Sequence, residues 1–203
     1  RGVLQDYNLA FKWTKLAADQ GHANAQNNLA AMYEKGQGIG QDSKAAFKWI
    51  KLSAEQGDAL AQKSLGGMYY EGNGIQQSTE DAIKWFRLAA KQGEAFSQNF
   101  MSVMYAKGEG VAQDYVQAVK WSKLTAEQGH ADGQANLAVF LSKGQGIKRD
   151  YVYAYMWFKL ASNLGLERAE RGLAELTPQL PTDLLEQGKA LAQECLAKNY
   201  KDC

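Results

Sequence analysis

The sequence predicts an all-α solenoid in which one helix-turn-helix unit stacks on itself, and three observations lead there. Trp13, Trp49, Trp85, Trp121 and Trp157 recur at a step of 36 residues without a single insertion. Gly21, Gly57, Gly93, Gly129 and Gly165 keep the same step, as do Leu16, Leu52, Leu88, Leu124 and Leu160. Only two prolines occur in 203 residues, which leaves long stretches free to be helical. A fixed period of this length marks a repeat architecture, in which no unit can bury its apolar stripe alone and neighbours must cover one another.

The first helix of a unit reads as "DYNLAFKWTKLAADQ", residues 6–20, where Ala10, Trp13, Leu16 and Ala17 fall at i, i+3, i+6 and i+7. The tryptophan column lies in this stripe and is read as core, not as an exposed aromatic ladder. Gly21 ends the helix, because glycine takes the left-handed C-terminal conformation without steric cost. The second helix runs from about Ala23 to Lys35, with Ala25, Leu29, Met32 and Tyr33 inward and Gly36 after it.

The pairs Gly36/Gly38, Gly72/Gly74, Gly108/Gly110 and Gly144/Gly146 then lead into the next unit. A Gly-x-Gly can cradle phosphate, but a dinucleotide fingerprint follows a strand and carries a third glycine at set spacing. Here the pair follows a helix and recurs in every unit, so it is read as a turn. Gly2 and Val3 occupy the Gly38 and Ile39 columns. The chain, which opens at Arg1 without a methionine, is therefore expected to begin inside the turn of an earlier unit.

After Leu176, Pro178 and Pro181 break the pattern, and Leu184, Gly188, Leu191 and Cys195 line one face of a last helix. That helix is expected to cap the final exposed stripe. The organisation is a repeat array over residues 1–176, about five units with the first truncated, and a capping helix and tail over 177–203, about eleven helices in all.

These residues resemble Sel-1-like repeats, relatives of the tetratricopeptide repeat. The family's unit, A-x-x-W-x-x-x-A-A-x-x-G-x-x-x-A-Q-x-x-L-x-x-x-Y-x-x-G-x-G, is matched by Ala10, Trp13, Ala17, Ala18, Gly21, Ala25, Gln26, Leu29, Tyr33, Gly36 and Gly38. The match extends over about residues 2–176. Departures are local: Met101 for the leucine, Ser97 and Gly133 for the alanine, Leu141 and Thr177 for the tyrosine. The resemblance implies a right-handed α/α superhelix used for protein–protein contact, and no shared reaction. Some relatives have been linked to cell-wall antibiotics or peptidoglycan. A cell-envelope enzyme, or a peptidoglycan- or β-lactam-binding protein, is therefore the alternative to a binding scaffold of bacterial origin.

Composition narrows the classes further. A net charge of +1, from 23 basic and 22 acidic residues, offers no basic face for nucleic acid. No apolar run approaches the ~18 residues of a membrane span. Lys12, Lys48, Lys84 and Lys120 form a ladder beside Lys15, Lys51, Arg87 and Lys123. Acidic residues four positions on, such as Asp19, Glu55 and Glu127, make it a solvated helix face and not a polyanion site.

The two histidines, His22 and His130, share a column with Asp58 and Glu94 three units apart, at about 8–10 Å per packed helix layer. They cannot serve one metal or one triad and are read as helix-entry positions. No catalytic constellation, metal site or cofactor is expected, and neither is enzyme activity.

Cys195 and Cys203 are the only cysteines. Cysteine-rich secreted members of the family also place cysteines with seven residues between them, although there the bridges join helices within units. On that analogy a disulfide and a periplasmic or secreted location are expected; two free thiols and a cytoplasmic location are the alternative. A bridge also requires the last helix to end near Asn199. Within a continuous helix eight residues advance ~12 Å, whereas bridged Cα atoms lie within ~7 Å.

Comparison among the units separates scaffold from site. In the second helix the columns of Ala25, Gln26, Leu29 and Met32 barely change, while those of Asn24, Asn27, Ala31 and Glu34 change freely. The latter, at i, i+3, i+7 and i+10, share one face. By resemblance to the tetratricopeptide unit that face lines the concave groove. The expected ligand is another protein or peptide, bound by a monomer.

The candidate contacts are Asn24, Asn27 and Glu34 in the first unit and Leu60, Lys63 and Tyr70 in the second. Phe96, Asn99 and Val103 follow in the third, Asp132 and Val139 in the fourth, and Arg168 and Arg171 in the fifth. Leu60, Tyr70, Phe96 and Val103, with Phe100 close by, are expected to form the apolar centre. Asn27, Lys63 and Asn99 are expected to offer hydrogen bonds, and Arg168 and Arg171 a positive end that favours an acidic group.

Overall fold

The structure, a computed structural model, describes residues 6–203, so Gly2 and Val3 lie outside the described residues. The described residues form eleven α-helices and no strand. The helices are α1 (Tyr7–Asp19), α2 (Ala23–Lys35), α3 (Ser43–Glu55), α4 (Ala59–Glu71), α5 (Thr79–Lys91) and α6 (Ala95–Lys107). They continue as α7 (Tyr115–Glu127), α8 (Ala131–Lys143), α9 (Tyr151–Asn163), α10 (Glu167–Leu176) and α11 (Thr182–Ala197), with a 3-10 turn, Thr177–Gln179, after α10. The chain divides into two compact units, residues 1–97 and 98–203.

Caps repeat with the period. Asp6, Asp42, Asp114 and Asp150 each accept backbone N–H groups at the start of a first-type helix, and Ser78 does so in α5. In the column of helix-entry residues the outcome is divided. Asp58 accepts from the Ala61 N–H at 2.7 Å and Glu94 from the Ser97 N–H at 2.6 Å. His22 and His130 stand at the same helix-entry position but make no such bond, so side-chain capping is confined to the carboxylates.

The two glycines of each turn have separate jobs. Gly36, Gly72 and Gly144 are left-handed C-caps. A Cβ on the second glycine would strike the start of the neighbouring first-type helix. It would lie 2.0 Å from the Tyr7 carbonyl oxygen at Gly38, and 2.2 Å from that of Ser43 at Gly74.

In the first unit α2 packs between α1 and α3, and α4 between α3 and α5. Large and small residues alternate across the contacts, as close packing requires. Gly66 lies beneath the Phe86 ring, its Cβ position 3.0 Å from the ring carbons. In the second unit a Cβ at Gly133 would stand 2.5 Å from Thr125 Cβ. The counterparts of Thr125 are Ala17, Ser53, Ala89 and Ala161, so the larger side chain is matched by removing the alanine opposite it.

A polar spine runs with this core. Buried Gln26 and Gln62 each donate to the preceding helix, at Ala18 and Ala54 carbonyl oxygens 3.2 Å away. Their own amide oxygens accept from Gln56 and Gln92, both at 2.8 Å. Gln128 donates likewise to Gln98 in the second unit. Gln134 has no such donor, because the next residue of the donor column is Leu164, and its buried Oε1 is unpartnered.

The tryptophan column is not uniformly core. Trp13 is 59% exposed, Trp49, Trp85 and Trp121 are half-buried, and only Trp157 is buried, at 3%. The column lies on the flank of the first-type helix that meets its neighbour, so a ring is covered on one side: Lys15 Nζ stands 5.9 Å from the Trp49 centroid. The leucine column lies further toward solvent, with Leu16, Leu52, Leu88 and Leu124 exposed and Leu160 buried.

The C-terminal helix buries Gly188, Ala192 and Cys195, but it packs on α9 and not on the end helix α10. Gly188 meets the Tyr155 ring, and Met156, which stands in the Lys12 column, is buried. Helix α9 is therefore covered on several sides, while α10 turns Glu167, Glu170, Arg171 and Glu175 to solvent.

Candidate protein-binding face

The second-type helices set the face. In α2 and α4 the columns of Gln26, Leu29 and Met32 are buried, so the intervening columns are turned outward by the helical period. None of the thirteen candidate contacts is buried. In the first unit Asn24 is exposed, and Asn27, Glu34, Lys63 and Tyr70 are half-buried. Leu60 at 54% and Phe96 at 58% are the large apolar side chains that the face gives to solvent. One side of Phe96 is engaged, since its ring stands 6.0 Å from that of Phe86. Burial, then repulsion by Glu71, raises the Glu34 carboxyl above its ordinary value, and Lys35 opposes them.

In the second unit the same columns pair with each other. Arg168 Nη2 donates to the Asp132 carboxylate at 2.8 Å and to its carbonyl oxygen at 3.0 Å, while Nη1 donates to Asn136 Oδ1 at 2.9 Å. Asn136 Nδ2 donates in turn to Asn99 Oδ1 at 2.8 Å. Two expectations change. Arg168 does not add free positive charge, because its column-mate Asp132 neutralises it, and the amide oxygen of Asn99 is already engaged. Arg171 is exposed and has no ion-pair partner among the described residues. Val103 is half-buried on α6.

Beside Val139 a cleft of about 350 Å³ opens between α8, the start and middle of α9, and α10. Ala135, Val139, Phe158 and Leu176 give it apolar lining, and Ser142, Lys143, Tyr151, Arg171 and Glu175 give it polar lining. Gly172 lets α10 pack closely on α9 at the cleft wall, for a Cβ there would be 2.5 Å from the Phe158 ring. The periodic pattern selected Val139, Arg168 and Arg171 but missed the rest. The available signal was Gly172, alone in a column of Asn28, Ser64, Phe100 and Asn136.

The basic ladder of the first-type helices is a solvated face. Lys15 pairs with Asp19 at 2.7 Å, Lys51 with Glu55 and Lys123 with Glu127, each at 3.7 Å. No group of three or more metal-ligating side chains occurs among the described residues. None of the described helices is long and apolar enough to cross a membrane.

The tail folds back. Helix α11 stops at Ala197, Asn199 and Tyr200 take left-handed backbone at φ 51° and 65°, and Cys195 and Cys203 form a disulfide with Cα atoms 5.4 Å apart. The Tyr200 ring lies on the Cβ-free side of Gly129.

A family model for the Sel1 repeat matches residues 1–22, 23–58, 59–94, 95–130 and 131–166. The chain belongs to the Sel1 repeat family. The boundaries fall at second-type helices, so the Sel1 unit couples α2 with α3, α4 with α5 and α8 with α9.

Among solved structures the chain is 33% identical to c5321, a protective antigen present in uropathogenic Escherichia coli strains displaying an SLR fold. The TM-score is 0.83, over 94% of this chain and 42% of that one. It is 32% identical to a Sel1 repeat protein from Oxalobacter formigenes, with a TM-score of 0.79 over 85% of this chain and 50% of that one. The chain thus spans half or less of these two proteins. Immunity protein Pa5087 from Pseudomonas aeruginosa, at 16% identity and a TM-score of 0.52, shares the fold alone. No curated protein sequence matches the chain.

Proposed function

We propose that this Sel1 repeat chain is a non-catalytic scaffold that holds another protein or peptide on the outward face of its second-type helices. One observation carries the reading. The columns that vary between repeats are the ones left open to solvent, and in the first unit they include the exposed Leu60 and Phe96 together with the half-buried Tyr70. A fixed core with a variable, partly apolar outer row is how one scaffold acquires a particular ligand. The Cys195–Cys203 disulfide supports a location outside the cytoplasm, since such bonds persist in oxidising compartments.

Capture of a ligand from native extract tests the reading with three proteins: the unaltered chain, Tyr70→Ala with Phe96→Ala, and Lys48→Ala on a first-type helix. Burying one large side chain is worth about 1.5–3 kcal/mol, so the double variant is expected to bind at least tenfold more weakly. Lys48→Ala is expected to bind normally. The reverse pattern places binding on the first-type helices and ends the proposal.

A further inference from the structure

The cleft of the second unit combines three properties found together nowhere else among the candidate contacts. Its floor is apolar, made by Val139, Phe158 and Leu176. Its volume of about 350 Å³ is at the small end for a ligand site and suits a side chain rather than a whole helix. Its rim bears Lys143 on α8 and Arg171 on α10, both exposed and without ion-pair partners among the described residues, against one acid, Glu175. Arg168, on the same wall, is already balanced by Asp132.

Resting on the scaffold reading above, we infer that this cleft selects a ligand segment in which an acidic side chain flanks an apolar one. The apolar group fills the space over Phe158, and the carboxylate reaches Arg171 and Lys143 at the rim. The two cations stand at the mouth, so the carboxylate belongs to a residue flanking the buried one, on a chain that continues along α8. Charge complementarity selects the acid. The apolar floor of Val139, Phe158 and Leu176 selects the apolar neighbour.

The test is a nuclear magnetic resonance titration of the intact, isotope-labelled chain with the blocked peptide acetyl-Ser-Gly-Phe-Glu-Gly-Ser-amide. Saturable shifts are expected at the amides of Val139, Arg171 and Gly172. The Phe-Gln analogue is expected to bind at least fivefold more weakly. Arg171→Glu, an exposed change whose spectrum away from the cleft serves as the folding control, is expected to turn the preference toward a Phe-Lys analogue.

Absence of saturable shifts at the cleft overturns the inference, as does equal binding of the Glu and Gln peptides. So does equal binding of a peptide ending in a free Phe carboxylate, which would make a chain terminus the ligand. Continued capture of the native ligand through Tyr70 and Phe96 beside a silent cleft removes this inference alone. Loss of that dependence with the peptide still bound removes the broader reading and leaves the cleft.

Discussion

Leu164→Gln is expected to stabilise the protein by completing the glutamine spine. Gln56 and Gln92 each donate at 2.8 Å to a buried glutamine of the preceding repeat, and Gln128 does the same for Gln98. Leu164 stands in their column with nearly the same backbone, φ −89° and ψ 7° against −86° and 0° at Gln128. A glutamine there reaches the unpartnered Oε1 of Gln134. Satisfying a buried acceptor recovers about 1–3 kcal/mol, and ordering one glutamine side chain costs up to about 1.5–2 kcal/mol. Leu164 is half-exposed and loses little packing. The net gain is about 0.5–1 kcal/mol, which for a chain of this size raises Tm by roughly 1–4 °C.

Thermal and urea unfolding measure the gain, and slowed amide exchange at Gln134 localises it. Gln56→Ala is the counterpart: it orphans the Gln26 oxygen and is expected to cost about 1–3 kcal/mol. If Leu164→Gln gains nothing while Gln56→Ala costs nothing, the spine is incidental to stability.

Cys203→Ser is expected to lower stability by about 1–2 kcal/mol, less than an unstrained loop of this size would, because left-handed Asn199, Tyr200 and Asp202 offset part of the gain. Urea unfolding reads this loss, and two alkylatable thiols in protein from its native compartment would contradict the proposed location. Gly74→Ala is expected to cost more than about 2 kcal/mol, since its Cβ would lie 2.2 Å from the Ser43 carbonyl oxygen. Gly57→Ala, also at positive φ but in open space, is expected to cost about 1–2 kcal/mol, and thermal melts compare the two. Glu34→Gln is expected to raise Tm at neutral pH. The folded state holds the Glu34 proton more tightly than the unfolded chain does. Stability therefore falls as pH rises from the ordinary value of 4.5 through the raised one, and the variant's advantage vanishes below that window.

The repeat itself was fully legible, because spacing is a property of sequence and the caps and turn glycines act locally. Gly36 and Asp42 signal a helix end and a helix start whatever surrounds them. The burial of Trp13 and Leu52 was not legible, since both belong to an apolar stripe by spacing. Which edge of that stripe a neighbouring helix covers depends on how helices pack. The seat of α11 has a signal in the sequence: α9 replaces the exposed lysine of every earlier copy with Met156, which is buried. A helix apolar on nearly all sides is one covered from several directions. The candidate face could be drawn from column variability, but the Asp132–Arg168 pair could not, because it needs the distance between two stacked repeats. The cleft hid for the same reason: Gly172 marks a close helix approach only once Phe158 is known to lie against it.

Site-specific photo-cross-linking in native extract tests the binding claim most directly, with a photoreactive phenylalanine analogue placed in turn at Phe96 and at Lys48. The predicted result is one discrete protein or peptide adduct from position 96, lost on adding Tyr70→Ala, and none from position 48. An adduct from position 48 alone, or from both positions with equal yield, contradicts the assignment of ligand binding to the second-type helix face.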